Sequence, residues 1–206
     1  MNPNSFPTKS NLILSKSSLA LAKQGFELMD KKRNILIREL MELIDEAGNI
    51  QSEINVVFSA AYLTLQKANI ELGIYNIEEL SHTIPVENSV VIKQRSIMGT
   101  EIPLVEFHNT SHEPYYSFYR TKASLDDAVM KFNKVKELTI RLSMIENSAY
   151  RLACSIKKTQ KRANALQNIT IPFYAALTKE IENALEEKER EEFTRLKVIK
   201  RTHHKL

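Results

Sequence analysis

His108 and His112 stand four residues apart, the step that puts two imidazoles on one face of a helix where they could share a metal ion. Here they flank Asn109-Thr110-Ser111, a loop composition, and no carboxylate occupies the position a metalloprotease helix requires. Zinc takes three or four converging ligands, so no metal site is expected. The one cysteine, Cys154, falls beside an apolar helix position and reads as a small packed residue, not a reactive thiol. A single cysteine closes no disulfide within the chain and suits a reducing compartment. Glu189, Glu191 and Glu192 belong to a charged helix, with no cleft to hold two of them for acid–base work. His203 and His204 lie in a basic tail and are expected to be solvated. No G-x-G-x-x-G, P-loop or G-x-S-x-G sequence occurs, and four scattered glycines cannot build a phosphate cradle. The expectation is a protein with no catalytic residue, no cofactor and no metal.

The elements that would position any working surface follow from proline and heptad spacing. Pro3 and Pro7 open the chain, Pro85, Pro103 and Pro114 mark a middle, and Pro172 stands alone. An interior proline costs a helix about 3 kcal/mol, so long helices fit the two gaps. In the first gap Leu19, Ala22, Phe26, Met29, Arg33, Leu36, Leu40, Leu43, Ala47, Ile50, Ile54, Val57 and Ala61 alternate steps of three and four. Only Arg33 is not apolar; its side chain either snorkels to water or marks the register. Ser10 or Asn11 would cap this helix, which reaches Leu72 or beyond. In the second gap the seam is Val135, Leu138, Leu142, Ile145, Ala149, Leu152, Ile156, Thr159, Ala163, Leu166, Thr170, Phe173 and Leu177. Leu125, Ala128 and Phe132 precede it with a shifted step, Pro172 should kink it, and Ile181 and Leu185 continue it. The charged run at 186–192 reads as a solvated helical face.

Sustained seven-residue periods predict left-handed supercoiling of one helix on the other. The fold class is therefore mainly α, a long antiparallel two-helix coiled coil with a small middle section containing a β-hairpin. Residues 89–98 are β-branched and partly alternating, Gly99 is a turn residue, and 102–107 return as a strand that Pro103 restricts to an edge. The organisation is an N-terminal long helix over 8–75, the middle over 76–121, a C-terminal long helix over 122–200 and a basic tail over 201–206. Tyr115, Tyr116, Phe118 and Tyr119 cluster before the second long helix. Matched helix lengths predict pairs whose numbers sum to roughly 195–200, with Leu40 near residues 155–160. The hairpin is expected to be displayed off a helix pair that folds without it.

Net charge is +4, too mild to imply nucleic acid. Its distribution is basic, acidic, basic: seven bases against two acids over 9–38, three against eleven over 42–113, and five against none over 151–172. No stretch approaches the roughly 20 apolar residues of a membrane span, and residues 1–9 carry no apolar run, so a soluble cytoplasmic protein without direct membrane insertion is expected.

Near the N-terminus stand Pro7-Thr8-Lys9, Leu12, Lys16, Leu19, Ala22, Gly25, Leu28 and Lys32-Arg33. Near the C-terminus stand Lys161-Arg162-Ala163-Asn164-Ala165-Leu166, Ile169-Thr170-Ile171-Pro172, and Glu189-Arg190-Glu191-Glu192-Phe193-Thr194-Arg195-Leu196-Lys197. Over nearly its whole length the chain resembles the D subunits of V/A-type rotary ATPases. Ala163, where that family often has valine, and Thr194, where an aromatic is frequent, depart from it. The resemblance implies a non-catalytic central stalk that carries torque between the ATP-hydrolysing or ATP-making head and a membrane ion-translocating ring. It implies as partners the catalytic and nucleotide-binding A and B subunits of the head, the small F subunit of the stalk and a socket subunit above the ring. The chain would then be peripheral to the membrane as part of a membrane-bound complex. Candidate partner-binding residues are Lys31, Lys32, Arg33, Lys161, Arg162, Arg195 and Lys197. The alternatives are a coiled-coil tether or scaffold, which periodicity cannot separate from a rotor, and a nucleic-acid-binding helical arm, which the acidic middle opposes.

Overall fold

Thr8 opens the first helix. Its Oγ1 accepts a hydrogen bond from the backbone N–H of Asn11 at 3.2 Å, and the Asn11 side chain donates to the Phe6 carbonyl at 3.0 Å. The cap is thus Thr8, not Ser10 or Asn11, because an N-cap side chain serves the N–H three residues on and Lys9 is already helical. The computed structural model describes residues 6–84, 88–107 and 116–203. Its elements are α1 (Lys9–Leu72), α2 (Ile74–Ser81), β1 (Val90–Ile97), β2 (Thr100–Phe107), a 3₁₀ turn (Phe118–Arg120), α3 (Ala123–Ala165), a π turn (Leu166–Thr170) and α4 (Ile171–His203). The fold is mainly α: a long helix pair with a two-stranded antiparallel hairpin in the middle. His108, His112, Pro85, Pro114, Tyr115 and His204 lie outside the described residues.

The chain divides into two units, Met1–Asn34 with Lys157–Leu206, and Ile35–Ile156. In the first, none of Leu19, Ala22, Phe26, Met29 and Arg33 is exposed, and Thr159, Ala163, Thr178 and Ile181 are buried. The buried positions here are mostly small, Ser15, Ala22, Thr159, Ala163 and Thr178, with Ile181 the one large side chain among them. Lys9 pairs with Glu189 and Lys16 with Glu182, both within the expected range of totals. These exposed ion pairs are worth about 0–1 kcal/mol each, so the apolar seam carries the stability.

The π turn alters that seam. Pro172 stands two residues past its end; a proline ring collides with the carbonyl four residues back, here that of Asn168 within the turn, and the wider turn relieves the clash. The Ile171 N–H bonds the Leu166 carbonyl, five residues back. A π turn carries about one extra residue, so the next inward position moves on by one. Tyr174 is half-buried and Phe173 is 54% exposed, which reverses the expectation for Phe173. Thr178, Ile181 and Leu185 then continue inward.

In the second unit every predicted seam residue from Leu36 to Ala61 and from Val135 to Ile156 is buried or half-buried. Leu36, Ile145 and Leu152 are fully buried, each contributing roughly 1.5–3 kcal/mol by leaving water. Phe58 and Tyr62 of α1 meet Phe132 of α3 edge-on, with centroids 6.5 and 5.7 Å away. Leu40 and Ile156 pack on one cluster, as the pairing expectation requires. Glu46 with Arg141 and Glu53 with Lys134 pair at lower totals, since long side chains flanking a seam can stagger by about a helical turn. Cys154, expected to be packed, is exposed: two residues past buried Leu152 is about 200° around the helix.

Helix α1 stops at Gly73, whose φ of 85° is a conformation other residues seldom adopt. Asn76 Nδ2 donates to the Leu72 carbonyl at 2.7 Å, satisfying one orphan acceptor of the finished helix. The short helix α2 that follows is not predicted by the heptad spacing.

The hairpin turns through Met98 and Gly99, with φ of 49° and 75°. Two positive φ values make the type I′ turn that matches strand twist. Contrary to expectation, the hairpin is docked. Ile102 is buried in one cluster with Leu36 and Leu152, and Ile97 packs against it. Thr100 Oγ1 donates to Ser155 Oγ at 2.8 Å, and Lys136 Nζ lies 5.5 Å from the Phe107 ring centroid.

Candidate functional site

Arg33, the one charged residue of the first seam, makes bonds across the helix pair. Its Nη1 donates to Gln160 Oε1 of α3 at 2.8 Å, and its Nη2 lies 2.6 Å from Asp30 Oδ1 one turn earlier. Gln160 Nε2 donates onward to Asn164 Oδ1 at 2.7 Å, and Asn34 Nδ2 to Asp30 Oδ2 at 3.3 Å. The guanidinium is spent within a polar layer, 26% exposed, instead of snorkelling to water. Of the two readings of Arg33, this geometry favours the register marker.

That cross-bond sets the other candidate residues in space. With Arg33 against Gln160, the 31–33 turn of α1 stands level with Lys161 and Arg162 near the end of α3. Lys31, Lys161 and Arg162 are exposed and Lys32 is half-buried. None of these four has a carboxylate partner among the described residues. Like charges so placed repel by about 1 kcal/mol per pair at 4 Å in water, and less in salt. The isolated chain gains nothing from the arrangement, whereas an acidic partner surface would.

Arg195 and Lys197 do not join this belt. They sit on α4 beyond Glu189, the residue that pairs with Lys9 at the very start of α1. From Glu186 to Thr202 every residue of α4 is exposed, Phe193 and Leu196 included. A hollow along these turns, lined by Glu187, Arg190, Arg195 and Ile199 among others, lies open to solvent.

A second apolar register on α1 is missing from the seams that spacing predicts. In the first unit Leu14, Leu21 and Leu28 are exposed, Leu21 at 70%. In the second unit Val56, Leu63 and Ile70 are exposed, Ile70 at 85%. All six share one heptad position opposite the seam. The signal is a seven-residue period in a different phase, masked by the stronger inward one. A helix apolar on two faces is normally covered on both.

Tyr116 donates its hydroxyl proton to Asp126 Oδ1 in the first turn of α3. Burial, then this hydrogen bond and the carboxylate charge, push the phenol up to about 12. Phe118 lies edge-on to Tyr116, and Tyr119 is 92% exposed. The arrangement anchors the segment entering α3 and leaves two aromatic rings facing outward. Among the described residues no group of three or more His, Cys, Asp or Glu side chains could hold a metal ion. No helix among them is long and apolar enough to cross a membrane.

Comparison with known proteins gives these features a relationship. Residues 11–201 match the family model that describes the D subunit of ATP synthase. The chain is 45% identical over 194 residues to the V-type ATP synthase D subunit of Thermotoga neapolitana, covering 94% of this chain and 96% of that one. It is 36% identical over 197 residues to the A-type ATP synthase D subunit of Thermococcus kodakarensis, covering 94% and 92%. The corresponding protein of Thermococcus gammatolerans is 38% identical over the same coverage.

Proposed function

The chain belongs to the family of ATP synthase D subunits, and on that premise we propose that it is the central stalk of a V/A-type ATPase, carrying torque between the nucleotide-processing head and the membrane ion-translocating ring. The observation that carries this reading is the conjunction of a sustained inward seam with an outward apolar register on the same helix. Paired helices joined along such a seam resist bending and twisting. An outward register broken by Glu42 and Asn49 suits contact with several different neighbours along its length. The chain contributes no catalytic group; ATP is made or hydrolysed on other subunits. Its partners are the A and B subunits of the head, the small F subunit of the stalk and a socket subunit above the ring. It sits on the cytoplasmic side, peripheral to the membrane.

The basic belt of Lys31, Lys32, Lys161 and Arg162 faces acidic surface of the surrounding head in this reading, while Arg33 serves the helix pair itself. Arg195 and Lys197, on the unaccompanied turns of α4, make a second, separate contact. The test is rotation. A Cys154→Ser, Glu78→Cys complex, immobilised through its head and carrying a bead on the new cysteine, should turn in one direction when given ATP. A bead that stays still on a complex that is hydrolysing ATP would exclude the rotor role.

A further inference from the structure

The hairpin has two outer edges, and they are treated differently. Ile97 pairs with Thr100 across the two-residue turn, which makes them a hydrogen-bonded pair, as are Arg95 with Ile102, Lys93 with Leu104 and Val91 with Glu106. The intervening residues aim their backbone groups outward: Glu101, Pro103 and Val105 on β2, and Ile92, Gln94 and Ser96 on β1.

On β2 each outward position is accounted for. Arg151 Nη1 donates to the Glu101 carbonyl at 3.3 Å, and Ser148 Oγ to the Pro103 carbonyl at 3.4 Å. The Val105 N–H lies 3.2 Å from Met144 Sδ, and Pro103 has no N–H to satisfy. Met144, Ser148 and Arg151 are successive turns of one α3 face, so a helix closes this edge. On β1 nothing reaches the outward groups of Ile92, Gln94 or Ser96 among the described residues. Residues 91–96 are all exposed, and the strand has neither proline nor bulge to blunt it.

The side chains beside that open edge select an occupant. Lys93 is held by Glu106 at 2.6 Å, but Arg95 is exposed and has no carboxylate partner among the described residues. Ile92, on the opposite face, is 69% exposed. Two β1 edges paired antiparallel about Gln94 would set Lys93 of each copy against Arg95 of the other, and like charges directly opposite are destabilising. Self-pairing is therefore disfavoured, and a strand bringing a carboxylate is favoured.

We propose that the outer edge of β1 receives an extended segment of another polypeptide of the complex as a third strand, with a carboxylate opposite Arg95 and an apolar side chain beside Ile92. The third strand would be held by main-chain bonds to Ile92, Gln94 and Ser96. This rests on membership of the complex alone; it holds or fails whether or not the chain turns.

Hydrogen exchange read by mass spectrometry at single-amide resolution tests it, on the free chain and on the assembled complex. Assembly should slow exchange at Ile92, Gln94 and Ser96 by about tenfold or more. Gln94→Pro removes one outward N–H, directly across from Pro103, without taking a bond from the β1–β2 ladder. In the complex it should return Ile92 and Ser96 to the fast rates of the free chain, and Arg95→Glu should do so in part. If Gln94→Pro disturbs the free hairpin, seen as faster exchange at Lys93 and Arg95, the Arg95→Glu variant carries the test. Unchanged rates at the three amides on assembly would overturn the proposal. So would slowing that appears in the free chain as its concentration rises, which would mean self-pairing.

Discussion

Arg33 on α1 bonds Gln160 on α3 through a 2.8 Å contact, placing a charged side chain inside a seam whose other predicted members on α1 are all apolar. A polar residue at such a position gives up stability for alignment, because a slipped register would leave it buried without a partner. Asp30 and Gln160 keep Asn34 and Asn164 when the guanidinium is removed. The Arg33→Leu chain should therefore melt at the same or a higher temperature, by up to about 1–2 kcal/mol. Its alignment should loosen: Leu40→Cys should cross-link not only with Ile156→Cys but also with Ala149→Cys, one heptad away. A clear loss of stability with unchanged cross-linking would mean that the layer is simply structural glue.

Ile102 is the hairpin's anchor between the helices. Truncating a buried isoleucine typically costs about 2–5 kcal/mol, the cavity included. Ile102→Ala should lower urea stability by roughly 2–4 kcal/mol, whereas Ile92→Ala on the exposed face should change it by less than about 0.5. Equal, small effects would return the hairpin to an appendage on an independent helix pair.

Met98 occupies a left-handed conformation that a side chain with a Cβ disfavours by about 1–2 kcal/mol. Asparagine at the first position of a type I′ turn followed by glycine is the preferred pair. Met98→Asn should stabilise the chain by up to about 1 kcal/mol in equilibrium unfolding, since Met98 is 45% exposed and its side chain gives up little packing.

Tyr116 links stability to alkaline pH. Its folded phenol titrates at about 12 against an ordinary 10.0, so the folded chain holds the proton more tightly. The resulting stabilisation is fully present below pH 10 and is lost as pH rises toward 12. Absorbance titration in the ultraviolet should show one late tyrosine that disappears in Tyr116→Phe. Asp126→Asn should bring that titration down, since both the charge and the strong acceptor go.

The basic belt separates assembly from folding. Charge reversal at Lys32 and Arg162 removes like-charge repulsion, so the free chain should be as stable or slightly more stable. Assembly with the head, or turnover of the complex, should weaken, most clearly at low salt. Turnover and assembly indistinguishable from the unaltered complex at low and moderate salt would reduce the belt to a solvated face.

Periodicity is written along the chain, and what depends only on periodicity was legible there. The inward seam of α1 followed from three-and-four spacing, as did that of α3, because a helix repeats its face every 3.6 residues whatever surrounds it. The β1–Gly99–β2 hairpin followed likewise from local composition, whereas the stop of α1 at Gly73, expected only at Leu72 or beyond, came from the structure. Tertiary structure decided what depends on azimuth and on distant neighbours. One extra residue in the π turn rotated Phe173 out and Tyr174 in, a shift that no spacing upstream of Pro172 announces. Cys154 faces solvent because it lies across the helix from Leu152. Arg33 could be read as either snorkel or marker until Gln160, 127 residues away, came within 2.8 Å. The closed edge of β2 and the open edge of β1 differ only because α3 runs beside one of them, and a strand's sequence does not say which of its edges a helix will cover.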